Sequence, residues 1–86
     1  MNDYFNLTDE QMVIAHELSD FLCGDLRKDN DGSLYIEVYT GDCTSKENYD
    51  ELISLRDDME IIIDEIFIID DMWADHDTQI VEISLK

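Results

Sequence analysis

The sequence contains no proline, three scattered glycines and two cysteines among its 86 residues. The lack of proline and the scatter of the glycines exclude a flexible linker, and no low-complexity tract or internal repeat is present. Cys23 and Cys43 lack the spacing of a zinc site, and a lone pair without a secretory signal is typical of two reduced thiols. We therefore expect a single domain over residues 1–86 that holds no metal and no cofactor.

Basic residues are also scarce, since 5 Lys and Arg stand against 23 Asp and Glu and leave a formal net charge of −18. A surface with this charge repels nucleic acids and anionic membranes, so neither is expected as a direct ligand. No apolar run approaches the roughly 18 residues of a membrane span, and the N-terminus lacks the basic region of a signal peptide. The sequence therefore predicts a cytoplasmic protein with a basic protein as its partner.

Catalytic signatures are missing as well. The chain has no glycine-rich phosphate loop and no nucleophile elbow, and His16 and His76 do not combine with the cysteines into a ligand set. Its adjacent acids point apart on a helix or a strand, so they do not create the paired-carboxylate geometry of a hydrolase. These adjacent pairs are Asp57-Asp58, Asp64-Glu65 and Asp70-Asp71. An enzyme is not expected.

The chain does contain a regular apolar pattern. Of its residues, 44% are hydrophobic. Thr8 and Gln11 have the spacing of a capping box, and apolar residues recur at helical spacing from Ile14 to Leu26. Residues 33–40 alternate instead, so that Leu34, Ile36 and Val38 face inward. The first half of the chain is thus predicted to form a helix followed by a strand.

The second half contains a segment, residues 61–73, whose pattern fits either a helix or a strand. A second helix is predicted to begin at a capping box of Thr44 and Glu47, and its apolar spacing from Tyr49 continues through this segment. The β-branched clusters Ile61 to Ile63 and Ile66 to Ile69 favour strands instead, with a hairpin turn at 74–77 into a strand over 78–85. We prefer the order α-β-α-β-β, with an antiparallel sheet packed by two helices. The alternative is one long second helix and the order α-β-α-β, and the class is α+β in both.

The acids are distributed unevenly along the chain. Ten of them lie between Asp57 and Glu82, a range that contains no Lys or Arg. This asymmetry predicts a negative field at one end of the fold, suited to a groove lined with basic side chains. Trp73 lies among these acids, and aromatic residues within polar rims are typical interface anchors. The candidate partner-binding residues are Asp57, Asp58, Glu60, Asp64, Glu65, Asp70, Asp71, Trp73, Asp75 and Asp77.

In its size, its acidity and its lack of a catalytic signature, the chain resembles in type the small phage-encoded DNA mimics, which include anti-restriction and anti-CRISPR proteins. The resemblance implies a stoichiometric inhibitor that blocks the DNA- or RNA-binding groove of a host defence nuclease complex in the host cell cytoplasm. Two other interpretations of the same charge stay open. One is an immunity protein or antitoxin that neutralises a basic nuclease toxin, and the other is a non-catalytic acidic adaptor domain.

Overall fold

A computed structural model describes residues 4–39, 46–75 and 78–86, with side chains described throughout these ranges except at positions 39, 46–49 and 75. The predicted α+β class and the order α-β-α-β-β are confirmed, with a short strand added after the first helix and the second helix divided in two. The elements are α1 (Asp9–Leu22), β1 (Asp25–Lys28), β2 (Leu34–Tyr39), α2 (Lys46–Ser54), α3 (Arg56–Ile63), β3 (Phe67–Asp75) and β4 (Thr78–Leu85).

The strands form one antiparallel sheet in the order β1-β2-β4-β3. Two hairpins, β1–β2 and β3–β4, pair through β2 and β4, so β1 and β3 are the edge strands. Val81 of β4 lies opposite Ile36 on one side and opposite Met72 on the other. Cross-strand partners share a face, so the residues of β2 that were predicted to face inward combine with Val81 and Ile83 of β4 into one buried inner face.

The three helices of the described ranges cover this inner face. Leu18 of α1, Leu52 of α2 and Met59 of α3 are buried in the same apolar cluster as Ile36 and Val81 of the sheet. The result is a layer of helices on a layer of strands, the usual way for a small sheet to bury one side. We call the opposite side of the sheet the open face, because none of the described helices packs on it.

Helix α1 begins as predicted. Thr8 Oγ1 accepts a hydrogen bond from the backbone N–H of Gln11 at 3.2 Å, and Gln11 Oε1 accepts one from the N–H of Thr8 at 2.9 Å. The helix ends at Leu22 because Cys23 adopts the left-handed conformation, with φ of 55°. The predicted apolar stripe therefore stops early, and Leu26 belongs to strand β1 instead.

The ambiguous segment is part helix and part strand. Helix α3 runs to Ile63 and ends there because Asp64 and Glu65 both have positive φ, so the alternative of one long helix is wrong. The strand predicted over Ile61 to Ile63 is also wrong, since β3 begins only at Phe67. Burial of one side of this short helix against the core outweighs the β-propensity of its isoleucines.

Candidate protein-docking surfaces

The first candidate surface is formed by α3 and the turn after it, and we call it the α3 surface. Asp57 and Asp58 lie in the first turn of the helix, where the positive end of the helix dipole favours carboxylates. Asp64 and Glu65 form the reversal into β3 with φ of 40° and 68°. The five predicted acids on this surface are all exposed, namely Asp57, Asp58, Glu60, Asp64 and Glu65.

Two basic residues from outside the range 57–82, Arg56 and Lys86, lie at the α3 surface. Arg56 Nε lies 3.3 Å from Glu60 Oε1, one helical turn away. Lys86 follows β4, and its backbone N–H donates to the carbonyl oxygen of Ile66 at 3.1 Å. Arg56, Glu60, Glu65 and Lys86 line one cleft of about 310 Å³. The predicted absence of neutralising charge therefore does not hold for this surface, because the fold returns Lys86 to the start of β3.

The open face is the second candidate surface, and two rows of cross-strand partners run across it. Partners on neighbouring strands lie about 5 Å apart, so the side chains of a row act as one surface. In the order β1, β2, β4, β3, the first row is Arg27, Tyr35, Glu82 and Asp71, and the second row is Asp25, Glu37, Ile80 and Trp73.

A bulge in β3 brings two adjacent acids to the open face. The register shifts between Ile69 and Asp71, which sets Asp70 and Asp71 together opposite Glu82. The Ser84 hydroxyl donates to Asp70 Oδ1 at 3.1 Å, and the backbone N–H of Met72 donates to Asp71 Oδ1 at 2.8 Å. Both carboxylates are thus held on one side of the strand, where regular alternation would have separated them.

Trp73, Ile80 and Tyr35 form the apolar part of the open face, and we call them the apolar strip. Trp73 and Ile80 are cross-strand partners, and Tyr35 lies diagonally across from Ile80 on β2. Ile80 is only 6% exposed although it faces away from the core, whereas Trp73 is 39% exposed. Glu82 borders the strip on one side and Glu37 on the other. Trp73 therefore lies among acids and is accessible, while its role as an anchor stays a prediction.

Charge is matched on one half of the open face only. On the β1–β2 half, Arg27 Nε lies 3.0 Å from Glu37 Oε1. On the β3–β4 half, none of the three carboxylates forms an ion pair with any residue whose side chain the structure describes. These three are Asp70, Asp71 and Glu82. The β3–β4 half thus places the apolar strip beside acids that form no ion pair with a described side chain.

The predicted site residues are divided between the two surfaces. Five belong to the α3 surface, and Asp70, Asp71 and Trp73 belong to the open face. Asp75 ends β3 with its side chain outside the described atoms, and Asp77 lies outside the described residues. The prediction missed Glu37 and Glu82. The alternation of their strands contained the necessary signal, because it sets both on the side away from the core.

Carboxylates also project from other parts of the fold. Helix α1 exposes Glu17 and Asp20, and the turn between β1 and β2 exposes Asp29 and Asp31. The distribution of acids along the chain predicted a negative field at one end of the molecule. The exposed acids extend beyond that end. What distinguishes the open face is that its unneutralised acids border an accessible tryptophan.

The described part of the chain contains no candidate metal site. Cys23 is an exposed free thiol, whereas Cys43 and His76 lie outside the described residues. Within the described ranges, no group of three or more His, Cys, Asp or Glu could hold a metal ion, and no helix is long and apolar enough to cross a membrane. Comparison of the chain with protein-family models, curated proteins and solved structures gives no match. The two acidic surfaces are therefore the basis for assigning a function.

Repulsion among the carboxylates should destabilise the fold at low ionic strength. Raising NaCl from about 10 mM to about 150 mM shortens the Debye length from about 30 Å to about 8 Å, which screens acids on neighbouring elements from one another. We expect the melting temperature, measured by circular dichroism, to rise by about 5 °C, or about 1 kcal/mol for a domain of this size. The double variant Asp57→Asn with Asp58→Asn should respond less. A melting temperature that does not change with salt would contradict significant self-repulsion.

Proposed function

We propose that the chain is a stoichiometric inhibitor that imitates nucleic acid and blocks the DNA- or RNA-binding groove of a host defence nuclease complex, of the anti-CRISPR or anti-restriction type. The observation that carries the proposal is the set of exposed carboxylates on α3, on the turn after it and on edge strand β3. Helix α3 packs beside β3 and leads into it. The α3 surface and the acids of β3 therefore border one edge of the molecule.

The physical basis is the similarity of carboxylates to phosphates as ligands for basic side chains. Both are anions that accept charge-assisted hydrogen bonds from Lys and Arg, with a bidentate geometry available to Arg. Duplex DNA carries one charge per about 1.7 Å of axis, and adjacent residues of a strand are about 3.3 Å apart. Carboxylates on a helix and a sheet are also ordered before binding, so little entropy is lost when a partner meets them.

In this proposal the predicted acids stand in for phosphates and Trp73 anchors the contact. Asp57, Asp58, Glu60, Asp64 and Glu65 contribute from the α3 surface. Asp70 and Asp71 contribute from the open face, and Asp75 and Asp77 are included on the basis of the sequence. Arg56 and Lys86 reduce the net negative charge of the α3 surface. Its five acids therefore attract a basic partner less strongly than their number suggests.

The test begins with bacterial strains that each carry one restriction or CRISPR system. Expression of the chain should restore phage plating in the strain whose nuclease it blocks. With that complex purified, the protein should displace labelled DNA or RNA at one molecule per complex. The apparent affinity should fall at least about tenfold between about 50 mM and 200 mM NaCl, because the contact is ionic.

A matched pair of variants links the inhibition to the edge at β3. Reversal of Asp58 and Asp71 to lysine should abolish inhibition, while reversal of Glu17 and Asp20 on α1, with the same change of charge, should preserve it. Helix α1 packs against α3 and also against β1, at the other edge of the sheet, and Glu17 and Asp20 lie outside both the α3 surface and the open face. A complex that binds the chain and its nucleic acid simultaneously would contradict the proposal. Rescue of cells from a basic nuclease toxin, without any effect on defence systems, would favour the immunity-protein interpretation instead.

A further inference from the structure

The open face has an apolar strip beside carboxylates, and together these restrict the class of partner more than charge alone does. We propose that the open face docks a cationic amphipathic helix of the partner protein. An apolar residue of that helix lies on the apolar strip, and its Lys and Arg side chains meet Asp70, Asp71 and Glu82. The inference rests on the proposed function for its basic partner, and it adds which face and which element make the contact.

The apolar strip is a preformed platform. Trp73 is 39% exposed and its cross-strand partner Ile80 is nearly inaccessible, so the accessible part of the strip includes the indole. Aromatic side chains in such a setting contribute large contact area with little loss of conformational entropy. A surface that only bound cations would need the carboxylates alone, so the accessible Trp73 points to an apolar contact as well.

Charge complementarity selects a cationic occupant. The three carboxylates on the β3–β4 half have no basic partner among the described side chains, whereas Glu37 on the other side of the strip is paired with Arg27. Lys28 is also engaged, because its ammonium group donates to the backbone carbonyl of Tyr4 and lies 4.6 Å from the centre of the Tyr4 ring. A helix with basic residues on the flank above Asp71 and Glu82 would supply the missing charge.

The same charge argues against other occupants of the open face. A second copy of the chain would bring identical carboxylates against each other, which is repulsive at a net charge of −18. Addition of a strand would use the free edge of β3 rather than its face, and that edge is interrupted by the bulge at Ile69 and Asp71. A helix fits because a sheet face pairs with the apolar stripe of a helix, as the inner face already does here.

The test uses a synthetic helical peptide of leucine and lysine with one apolar stripe, and a second peptide of the same composition in scrambled order. Trp73 is the single tryptophan of the chain, so its fluorescence reports contact on the open face directly. We expect the striped peptide to shift the Trp73 emission to shorter wavelength. It should bind at least about tenfold more tightly than the scrambled peptide, because only the stripe can cover the indole.

Two double variants with the same change of charge separate the two candidate surfaces. The double variant Glu82→Lys with Asp71→Lys should lower the affinity for the striped peptide at least about tenfold. The double variant Asp57→Lys with Asp58→Lys should lower it less than about threefold. Trp73→Ala should also lower the affinity for the striped peptide about tenfold, as measured by the fluorescence anisotropy of a labelled peptide. Circular dichroism checks that each variant is folded. If the open-face double variant is unfolded, Glu82→Gln provides the comparison, with an expected loss of about threefold.

Equal binding of the striped and scrambled peptides, or an equal loss in both double variants, would overturn docking on the open face. The outcome is separable from that of the proposed function. If nuclease inhibition is lost in the α3 double variant and retained in the open-face one, the docking proposal is wrong and the inhibitor proposal stands. If the striped peptide docks as expected and no defence system is inhibited, the inhibitor proposal is wrong and the docking face stands.

Discussion

Replacement of Ile63 by alanine should destabilise the protein by about 2–4 kcal/mol, whereas the same replacement of Ile61 should cost less than about 0.5 kcal/mol. Ile63 is 4% exposed and packs into the core, and Ile61 is 74% exposed. The two residues are two positions apart, so the helical twist of α3 turns their side chains about 200° away from each other. The difference in cost follows from that rotation.

The pair of isoleucine variants also tests the conformation of this segment. In a strand, residues 61 and 63 would point to the same face, and their replacement would cost similar amounts. Urea unfolding followed by Trp73 fluorescence and by circular dichroism gives both free energies under identical conditions. Similar losses for the two variants would contradict the helix, and a large loss for Ile61 alone would contradict the described packing of α3.

Replacement of Gly24 by alanine should lower the free energy of unfolding by about 2–3 kcal/mol, because it forces overlap with the backbone of β2. A Cβ atom at this position would lie 2.7 Å from the carbonyl oxygen of Glu37 and 2.9 Å from methyl carbons of Ile36 and Val38. Strand β2 is a central strand of the sheet and cannot move aside without disturbing its pairing with β4. The overlap must therefore be relieved by shifting the end of α1.

Gly32→Ala provides the control for the Gly24 experiment. Gly32 has φ of +85°, but a Cβ atom there would meet nothing within 4 Å. Its replacement should cost about 1 kcal/mol, which is the conformational penalty of a left-handed residue without steric overlap. Thermal or urea unfolding of both variants distinguishes the two effects. A cost at Gly24 equal to or below that at Gly32 would contradict the close approach of the chain to β2.

Gly24 also illustrates how a correct local signal can have an additional cause. In the sequence it is a natural helix terminator, and α1 does end nearby. The residue that takes the left-handed conformation is Cys23, however, while Gly24 is needed for its missing side chain. Only the position of β2 against the end of α1 reveals that requirement, because it involves residues more than ten positions later in the chain.

The sequence by itself determined the features that depend on neighbours along the chain. The capping box of Thr8 and Gln11 sets the start of α1, because its hydrogen bonds join residues three positions apart. The alternation of β2 sets which of its side chains are buried, since a strand has a period of two. The acidity of the surface also follows from composition alone, and the proposal of a basic partner rests on it.

The tertiary structure decided what depends on contacts between distant segments. The burial of Ile63 and Met59 against the core selected helix over strand for residues whose propensity favours strands. The pairing of β3 with β4 introduced the bulge that groups Asp70 and Asp71 opposite Glu82, and it returned Lys86 to the start of β3. Charge compensation and the shape of a docking face depend on distances in space, and a count of acids along the chain contains no such distances.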